Sequence, residues 1–322
     1  MNIINFINRF PDESACIEFI KNQRLEQGVI CKRCSCSKHY WLENKNSFQC
    51  SSCGFRTSIK SGTVMEHSNL PIRVWMLAIT FISATKKSFS AAELQRQLGL
   101  KRYEPVFRMY HKIRVVMGKR DDIYRLEDMV EYDEAFVGKA VNNKTKNKLK
   151  RGRGSQKQSK VAVMAESTVL EDPDSGKLEK SCRYFKMKKI KNLEAKTAQA
   201  LIKEFIDKST VLQTDKSTTF SDLSDCIDVH VRETSGTDQG NFNLKWVHIA
   251  ISNLKKHLQT YHMITERMMQ NYLDEFCYKL NRRYFGQRLF DRLIIASIYP
   301  YCRITGNHKS EFDRKINPRK EF

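Results

Sequence analysis

Two patterns of apolar residues divide the chain into a helical part and a part in which strands and helices alternate. Residues 67–118 repeat apolar side chains at helical spacing, whereas from residue 127 short β-branched and aromatic runs are separated by amphipathic segments. The second pattern predicts strands at residues 129–137, 160–165, 182–188, 209–214 and 227–231, and helices at residues 192–207, 246–259 and 265–284. Three strands, a helix, further strands and later helices predict an α/β domain.

Four cysteines in two close pairs follow a short predicted helix at residues 11–22. The pairs are Cys31 with Cys34 and Cys50 with Cys53, and fifteen residues lie between them. Tetrahedral zinc takes four thiolates, and this spacing is typical of a zinc ribbon. Because four protein ligands leave no open position, the Zn²⁺ is expected to be structural, and the small module to fold only with it. A redox pair is the alternative interpretation.

The helical part contains a predicted helix-turn-helix. Ser90 and Glu93 form a capping box at the start of one helix, Gly99 ends it, and Pro105 lies in the first turn of the next. Basic residues suited to DNA contact accompany the second helix, namely Arg102, Arg108, His111, Lys112 and Arg114. An ordinary helical hairpin with a solvated basic face is the alternative.

The balance of charge indicates a polyanionic partner, most simply nucleic acid. Lys and Arg number 57 against 36 Asp and Glu, a formal net charge of +21, and a fold does not require such an excess. Residues 139–160 form a predicted basic loop without acids, in which Lys150, Arg151 and Arg153 are suited to phosphate contact. A solvated basic surface and a disordered loop are the alternatives.

The chain shows no pattern that predicts a membrane partner or export. It has no run of 18 or more apolar residues, and its N-terminus lacks the basic and apolar regions of a signal peptide. A reducing, cytoplasmic location is therefore expected, in which the cysteines outside the two pairs remain free thiols.

Two aspartates lie in apolar, strand-like runs, where an unpaired carboxylate would be costly to bury. Asp133 lies within residues 129–138, and Asp215 closes residues 209–215. A divalent cation would stabilise both carboxylates, and Asn253 on a following helix is a candidate third ligand. An Asp that caps a turn after a strand is the alternative, notably for Asp215.

The order of these features resembles the RNase H-like catalytic core of DDE-type transposases. Together with the cysteine quartet and the helical segment, it resembles bacterial insertion-sequence transposases of the ISXO2-like group, relatives of the Merlin superfamily, over most of residues 10–290. Besides the cysteines, the resemblance is carried by Val130-Glu-Tyr-Asp-Glu-Ala-Phe-Val-Gly138, Thr214-Asp215, the segment around His248, and Tyr272-Leu-Asp-Glu-Phe-Cys-Tyr-Lys-Leu-Asn-Arg-Arg283.

The resemblance implies a metal-dependent enzyme. It assigns binding of catalytic Mg²⁺ (or Mn²⁺) to Asp133 and Asp215. The family usually has a glutamate five residues after a histidine, and here the fifth residue after His248 is Asn253. An amide oxygen can bind Mg²⁺, but it is neutral and a weaker ligand than a carboxylate.

Further residues around this site are candidates for supporting roles. Glu134 and Glu275 could supply a compensating carboxylate, with a surface acid and a helix-face acid as the respective alternatives. Phosphates would be held by basic residues near the core, with Lys255, Lys256, Arg282 and Arg283 as the candidates.

The resemblance also implies a biological role. A transposase of this group would bind terminal inverted repeats, cleave at the ends of its element and join them to target DNA, as a homo-oligomer on the bacterial nucleoid. A non-catalytic DNA-binding regulator and a structure-selective RNase H-like nuclease are the rival functions. The predicted domains are residues 1–62 (N-terminal helix and zinc ribbon), 63–122 (helix-turn-helix-like segment), 127–300 (RNase H-like catalytic domain) and 301–322 (basic tail).

Overall fold

The computed structural model describes residues 1–138, 157–171, 178–220, 223–234 and 243–299. Its helices are α1 (Ile3–Arg9), α2 (Glu13–Gln27), α3 (Ile72–Ala84), α4 (Ala91–Gln97), α5 (Tyr103–Asp122), α6 (Ala195–Phe205), α7 (Lys245–Leu258), α8 (Met269–Asn281) and α9 (Arg288–Ile298). Its strands are β1 (His39–Leu42), β2 (Ser47–Cys50), β3 (Arg56–Ser58), β4 (Met129–Gly138), β5 (Gln158–Glu171), β6 (Leu178–Ile190), β7 (Val211–Asp215) and β8 (Val229–Glu233). No helix in these ranges combines the length and the apolar character that a bilayer crossing needs.

The chain forms two compact units. The first contains Met1–Arg120 and the described residues after Arg282, and the second contains Asp121–Arg282. Residues 1–62 and 63–122, expected as separate domains, thus share a unit up to Arg120. Helix α9, expected within residues 127–300, belongs to the first unit, where it packs against α3 and α2. The expected basic tail, residues 301–322, lies outside the described residues.

The predicted boundary signals of α4 and α5 are present in the first unit. The Ser90 hydroxyl accepts a hydrogen bond from the Glu93 amide at 3.1 Å, and Gly99 has a φ of 63°. The apolar side chains that α5 carries at helical spacing are buried, with Val106, Met109, Ile113 and Met117 at most 1% exposed. Two basic residues expected at the surface are also buried, because Arg114 stacks on the Tyr110 ring and lies against His111. Arg114 and His111 are therefore not placed for DNA contact.

Helix α3 obtains its N-terminal cap from another helix. Its N-cap residue is Pro71, which makes no side-chain cap hydrogen bond. Instead, the two carboxylate oxygens of Glu13 accept from the amides of Ile72 at 2.7 Å and Arg73 at 2.9 Å. A carboxylate is favourable there because it satisfies unpaired amides and complements the positive end of the helix dipole.

The second unit is a mixed five-stranded sheet in the order β6-β5-β4-β7-β8. Strands β4, β5 and β6 pair antiparallel, whereas β4, β7 and β8 pair parallel. One face carries α6, whose Ala198, Ile202 and Phe205 pack on Val130 and Tyr132. The other face carries α7 and α8, which pack on Ala135 and Val137. Because side chains of a strand alternate between faces, odd-numbered residues of β4 point toward α7 and α8.

Candidate functional site

The sheet brings Asp133 and Asp215 onto adjacent strands. Tyr132 pairs with Thr214 in the parallel register of β4 and β7, so the two aspartates are the next residue on each strand. Neighbouring strands lie about 4.8 Å apart, and residues aligned in register point to one face. The face is that of α7, because Glu131, two residues before Asp133, accepts from the Trp246 and Val247 amides of that helix. Gln213, two residues before Asp215, contacts the same Lys180 ammonium as Glu131 and so shares its face.

The carboxylate of each aspartate also accepts a hydrogen bond from a nearby backbone amide. One carboxylate oxygen of Asp133 accepts from the Glu134 amide at 2.7 Å, and one of Asp215 accepts from the Ser217 amide at 3.1 Å. The second bond is the turn that the alternative interpretation of Asp215 predicts. Both aspartates remain partly exposed, so a turn role and a ligand role are compatible at Asp215.

Helix α7 places a histidine beside the first aspartate. The Nε2 atom of His248 lies 3.6 Å from a carboxylate oxygen of Asp133, and the two side chains are 44% and 24% exposed. A side-chain interaction with Asp133 raises the pKa of His248, which favours the imidazolium form.

Asn253 lies further along the same helix. Five residues of α-helix correspond to a rotation of about 140° beyond one full turn and to a rise of about 7.5 Å. Asn253 is therefore on a different flank of α7 from His248, and its side chain is exposed. As a third ligand, Asn253 stays a prediction.

The two candidate compensating carboxylates lie in other surroundings. Glu134 follows Asp133 on β4 and so points to the opposite face of the sheet, where α6 packs. Glu275 is fully buried on α8, where its carboxylate lies 3.3 Å from the Lys279 ammonium and 3.5 Å from the Tyr261 hydroxyl. Neither residue is directed at the pair of aspartates by these contacts.

The predicted phosphate-binding residues differ in exposure. Lys255, Lys256 and Arg102 are exposed, and Arg108 is exposed but lies 2.7 Å from Glu104. Lys112 is half-buried and donates to the Glu66 carbonyl at 2.7 Å, and Arg283 is half-buried over the Tyr284 ring. Lys150, Arg151 and Arg153 lie outside the described residues.

Arg282 is placed in the interior of the second unit. It is 7% exposed, its guanidinium lies 2.6 Å from Asp121, and it stacks on the Tyr278 ring. A guanidinium with a buried carboxylate partner is not available to a phosphate at the surface, so the role of Arg282 is structural.

The four predicted zinc ligands converge in the first unit. The Sγ atoms of Cys31, Cys34, Cys50 and Cys53 all lie within 4.8 Å of one another. Each pair sits in a turn whose fourth residue after the first cysteine has positive φ, Ser35 at 59° and Gly54 at 69°. Strands β1 to β3 form a small antiparallel sheet, with Trp41 packed edge-on against Phe48. The cluster fits a structural Zn²⁺.

The aspartate pair differs from this closed cluster. Within the described part of the chain, the cysteine quartet is the one group of at least three His, Cys, Asp or Glu ligands drawn together this closely. The donor set around Asp133 still fits a hard divalent cation, since it offers two partly exposed carboxylates on adjacent strands. Such a site leaves positions for water or substrate, which a catalytic metal requires.

Two residues next to this pair were not singled out from the sequence. Glu131 and Lys180 have fully buried side chains whose charged ends lie 3.3 Å apart. Period-2 alternation could have identified Glu131, because it shares a strand face with Asp133. Lys180 lies in a basic stretch that reads as solvated surface, and its burial follows only from the arrangement of the strands.

Two known protein families match the chain. Residues 125–281 match the ISXO2-like transposase domain, and residues 11–56 match the transposase zinc-ribbon domain. Together the two matches cover more than half of the chain. Residues of the chain are also similar to an uncharacterized protein in transposable element ISH50 of Halobacterium salinarum, with 27% identity over 153 residues. That alignment covers 46% of this chain and 50% of the relative, so the chain spans about half the length of the curated relative it matches.

Proposed function

Because this chain belongs to the ISXO2-like transposases with an N-terminal zinc ribbon, we propose that it cleaves the DNA ends of an insertion sequence and joins them to target DNA. The proposal rests chiefly on one observation, the adjacent placement of Asp133 and Asp215 on β4 and β7 facing α7. Two carboxylates from neighbouring strands are suited to hold Mg²⁺ or Mn²⁺ at the reacting phosphate.

The catalytic unit is proposed to have an RNase H-like fold. The order β6-β5-β4-β7-β8, with antiparallel pairing on one side of β4 and parallel pairing on the other, supports this assignment. In such a sheet the central strand and its parallel neighbour carry the two aspartates, and a helix crosses the face above them. Asn253 on that helix is proposed as the third member of an Asp-Asp-Asn set.

The reaction proposed is an in-line displacement at a DNA phosphodiester. A divalent cation, when bound, lowers the pKa of its water and stabilises charge on the attacking and leaving oxygens. Asp133 and Asp215 would hold and orient that cation, while exposed Lys255 and Lys256 on α7 would contact the DNA backbone by charge. The first displacement leaves a 3′-hydroxyl end, which attacks target DNA in the second.

Recognition of the element ends is proposed for the first unit. Helices α4 and α5, with Gly99 between them, are proposed as a helix-turn-helix whose surface residues Arg102 and Arg108 contact terminal inverted repeats. Assembly as a homo-oligomer on nucleoid DNA is part of the proposal, since insertion of an element requires displacement reactions at both of its ends. The basic residues 150, 151 and 153 are retained as candidates for backbone contact.

A strand-transfer assay tests this function. Full-length protein loaded with Zn²⁺ is incubated with a labelled duplex that ends in the inverted repeat flanking its reading frame, with target DNA and Mg²⁺ or Mn²⁺. We expect cleavage and joined products from the zinc-loaded protein, both absent when Mg²⁺ and Mn²⁺ are omitted and both restored when either is added. Cutting without joining would indicate the nuclease instead, and DNA binding without cutting would indicate the regulator.

Asn253 has a separate test. Replacement of Asn253 by Ala is expected to slow cleavage about tenfold to a hundredfold, the usual cost of removing a group that supports a metal, whereas Asn253→Glu is expected to retain activity. Rates are measured in single turnover with saturating Mn²⁺. Unchanged cleavage in Asn253→Ala, together with loss in His248→Ala, would remove Asn253 from the site and favour His248.

A further inference from the structure

A buried polar network ties the N-terminus of α7 to three strands of the sheet. The Lys180 ammonium on β6 lies 3.3 Å from Glu131 on β4, and donates to the Gln213 side chain on β7 at 2.7 Å and to the Asn243 carbonyl at 2.9 Å. The Trp246 indole donates to the Lys180 carbonyl at 3.0 Å. Lys180 therefore binds Asn243, just before α7, and also contacts the neighbouring strands β4 and β7.

Glu131 serves as the N-cap of α7 from outside the helix. The N-cap residue of α7, Leu244, makes no side-chain cap hydrogen bond. One oxygen of Glu131 accepts instead from the amides of Trp246 at 2.7 Å and Val247 at 3.0 Å. The arrangement matches the cap that Glu13 provides for α3, and it satisfies amides that would otherwise be unpaired inside the unit.

The two charges stabilise each other in an environment that disfavours each alone. Both side chains are fully inaccessible, and their charged ends lie 3.3 Å apart. Breaking a buried pair by removing one partner is strongly destabilising, whereas replacing both together is often tolerated. Because burying two charges costs desolvation free energy, we infer that this pair defines how the strands and α7 are arranged rather than adding to the free energy of unfolding.

We propose that Glu131 and Lys180 are positioning residues that determine the position and rotation of α7 over the aspartate pair. Glu131 precedes Asp133 by two residues and Gln213 precedes Asp215 by two, so the network lies about 7 Å along the strands from the site, on the same face. With the first amides of α7 attached to Glu131, the rotation of the helix is defined, and His248 meets Asp133. This inference rests on the proposed function, because it concerns the same site.

Metal affinity provides the test. Mn²⁺ binding to the zinc-loaded full chain is measured by electron paramagnetic resonance for wild type, Glu131→Leu, Lys180→Met and the double variant. Each variant is expected to bind Mn²⁺ about tenfold more weakly, although both aspartates are intact, because residues behind metal ligands commonly contribute that much. The double variant leaves no single charge buried, so it keeps the test valid if either single variant fails to fold.

Glu166→Leu is the matched control. Glu166 is also a fully buried glutamate of the same sheet, and it accepts from the Glu127 amide at 2.9 Å. It pairs in register with Val130, so it points to the α6 face, away from α7. Glu166→Leu is expected to lower the melting temperature and to leave Mn²⁺ affinity unchanged, which separates positioning from general loss of stability.

The outcomes distinguish the two proposals. Wild-type Mn²⁺ affinity in the double variant overturns the positioning role, as does an equal loss in Glu166→Leu. If Asp133→Asn and Asp215→Asn themselves leave Mn²⁺ affinity unchanged, the proposed metal site is wrong. Loss of affinity in the aspartate variants without loss in the Glu131 and Lys180 variants refutes only the inference about positioning.

Discussion

Replacement of Asp133 or Asp215 by Asn is expected to slow metal-dependent cleavage of the element ends by about a thousandfold. Each substitution removes a charged ligand from the proposed metal site. A thousandfold slower rate corresponds to a loss of several kcal/mol of transition-state stabilisation, because each factor of ten in rate is about 1.4 kcal/mol. Asn is the informative substitution, because its amide oxygen can still accept from Glu134 or Ser217 and so preserve the local backbone. The measurement is the single-turnover rate with Mg²⁺ and with Mn²⁺.

Asp128→Asn is the control for this prediction. Asp128 precedes β4, is half exposed at its side chain and lies 2.9 Å from Arg183. Its φ of 63° is a conformation that Asn tolerates well, so the exchange should not strain the chain. Cleavage by this variant should equal that of wild type. A loss comparable to that of the two site variants would mean that acidic charge in general, and not a metal site, governs the rate.

Replacement of Cys34 or Cys50 by Ser is expected to remove the bound zinc and unfold the ribbon within residues 11–56. Structural zinc sites of this size couple about 10 kcal/mol or more of binding free energy to folding, which a small sheet of three short strands cannot replace. Zinc content by mass spectrometry and limited proteolysis of residues 11–56 provide the measurement. Chelation of the wild-type protein should reproduce the result.

Cys36→Ser separates the ligands from a neighbouring thiol. Cys36 lies beside the quartet, with its Sγ atom 3.9 Å from the Ser51 hydroxyl, but it is not among the four clustered sulfurs. This variant should retain one zinc per chain and wild-type resistance to protease. Loss of zinc in Cys36→Ser would show that the ligand set has been assigned incorrectly. Mn²⁺ binding in the second unit should persist in all the cysteine variants, since Asp121–Arg282 is compact by itself.

Local patterns predicted most elements of the chain correctly. Strand β4 was expected at residues 129–137 and forms Met129–Gly138, and α7 was expected at residues 246–259 and forms Lys245–Leu258. Strands β5 and β6 extend beyond the predicted runs, because their long antiparallel pairing stabilises polar residues that have no strand signal of their own. Helices α1 and α9 were not predicted. Phe6 of α1 and Phe290 of α9 pack ring against ring, and this contact is visible only in the tertiary structure.

The charged residues show why exposure is hard to predict. Lys255 and Arg282 both read as solvated basic positions on helices, yet one is exposed and the other pairs with Asp121 in the interior. The residues around Arg282 in sequence do not reveal its partner, because Asp121 is 161 positions away along the chain. The burial of Glu131 and Lys180 was hidden for the same reason.

The sequence by itself determined the cysteine quartet, the alternation of strands and helices, and the two aspartates as candidates for a metal site. These features depend on spacing and periodicity, which are local properties of the chain. Only the tertiary structure decided that β4 and β7 are neighbours in register, that His248 lies beside Asp133, and that Glu131 caps α7. Strand order and helix rotation are set by packing between residues far apart in sequence, so no local pattern carries them.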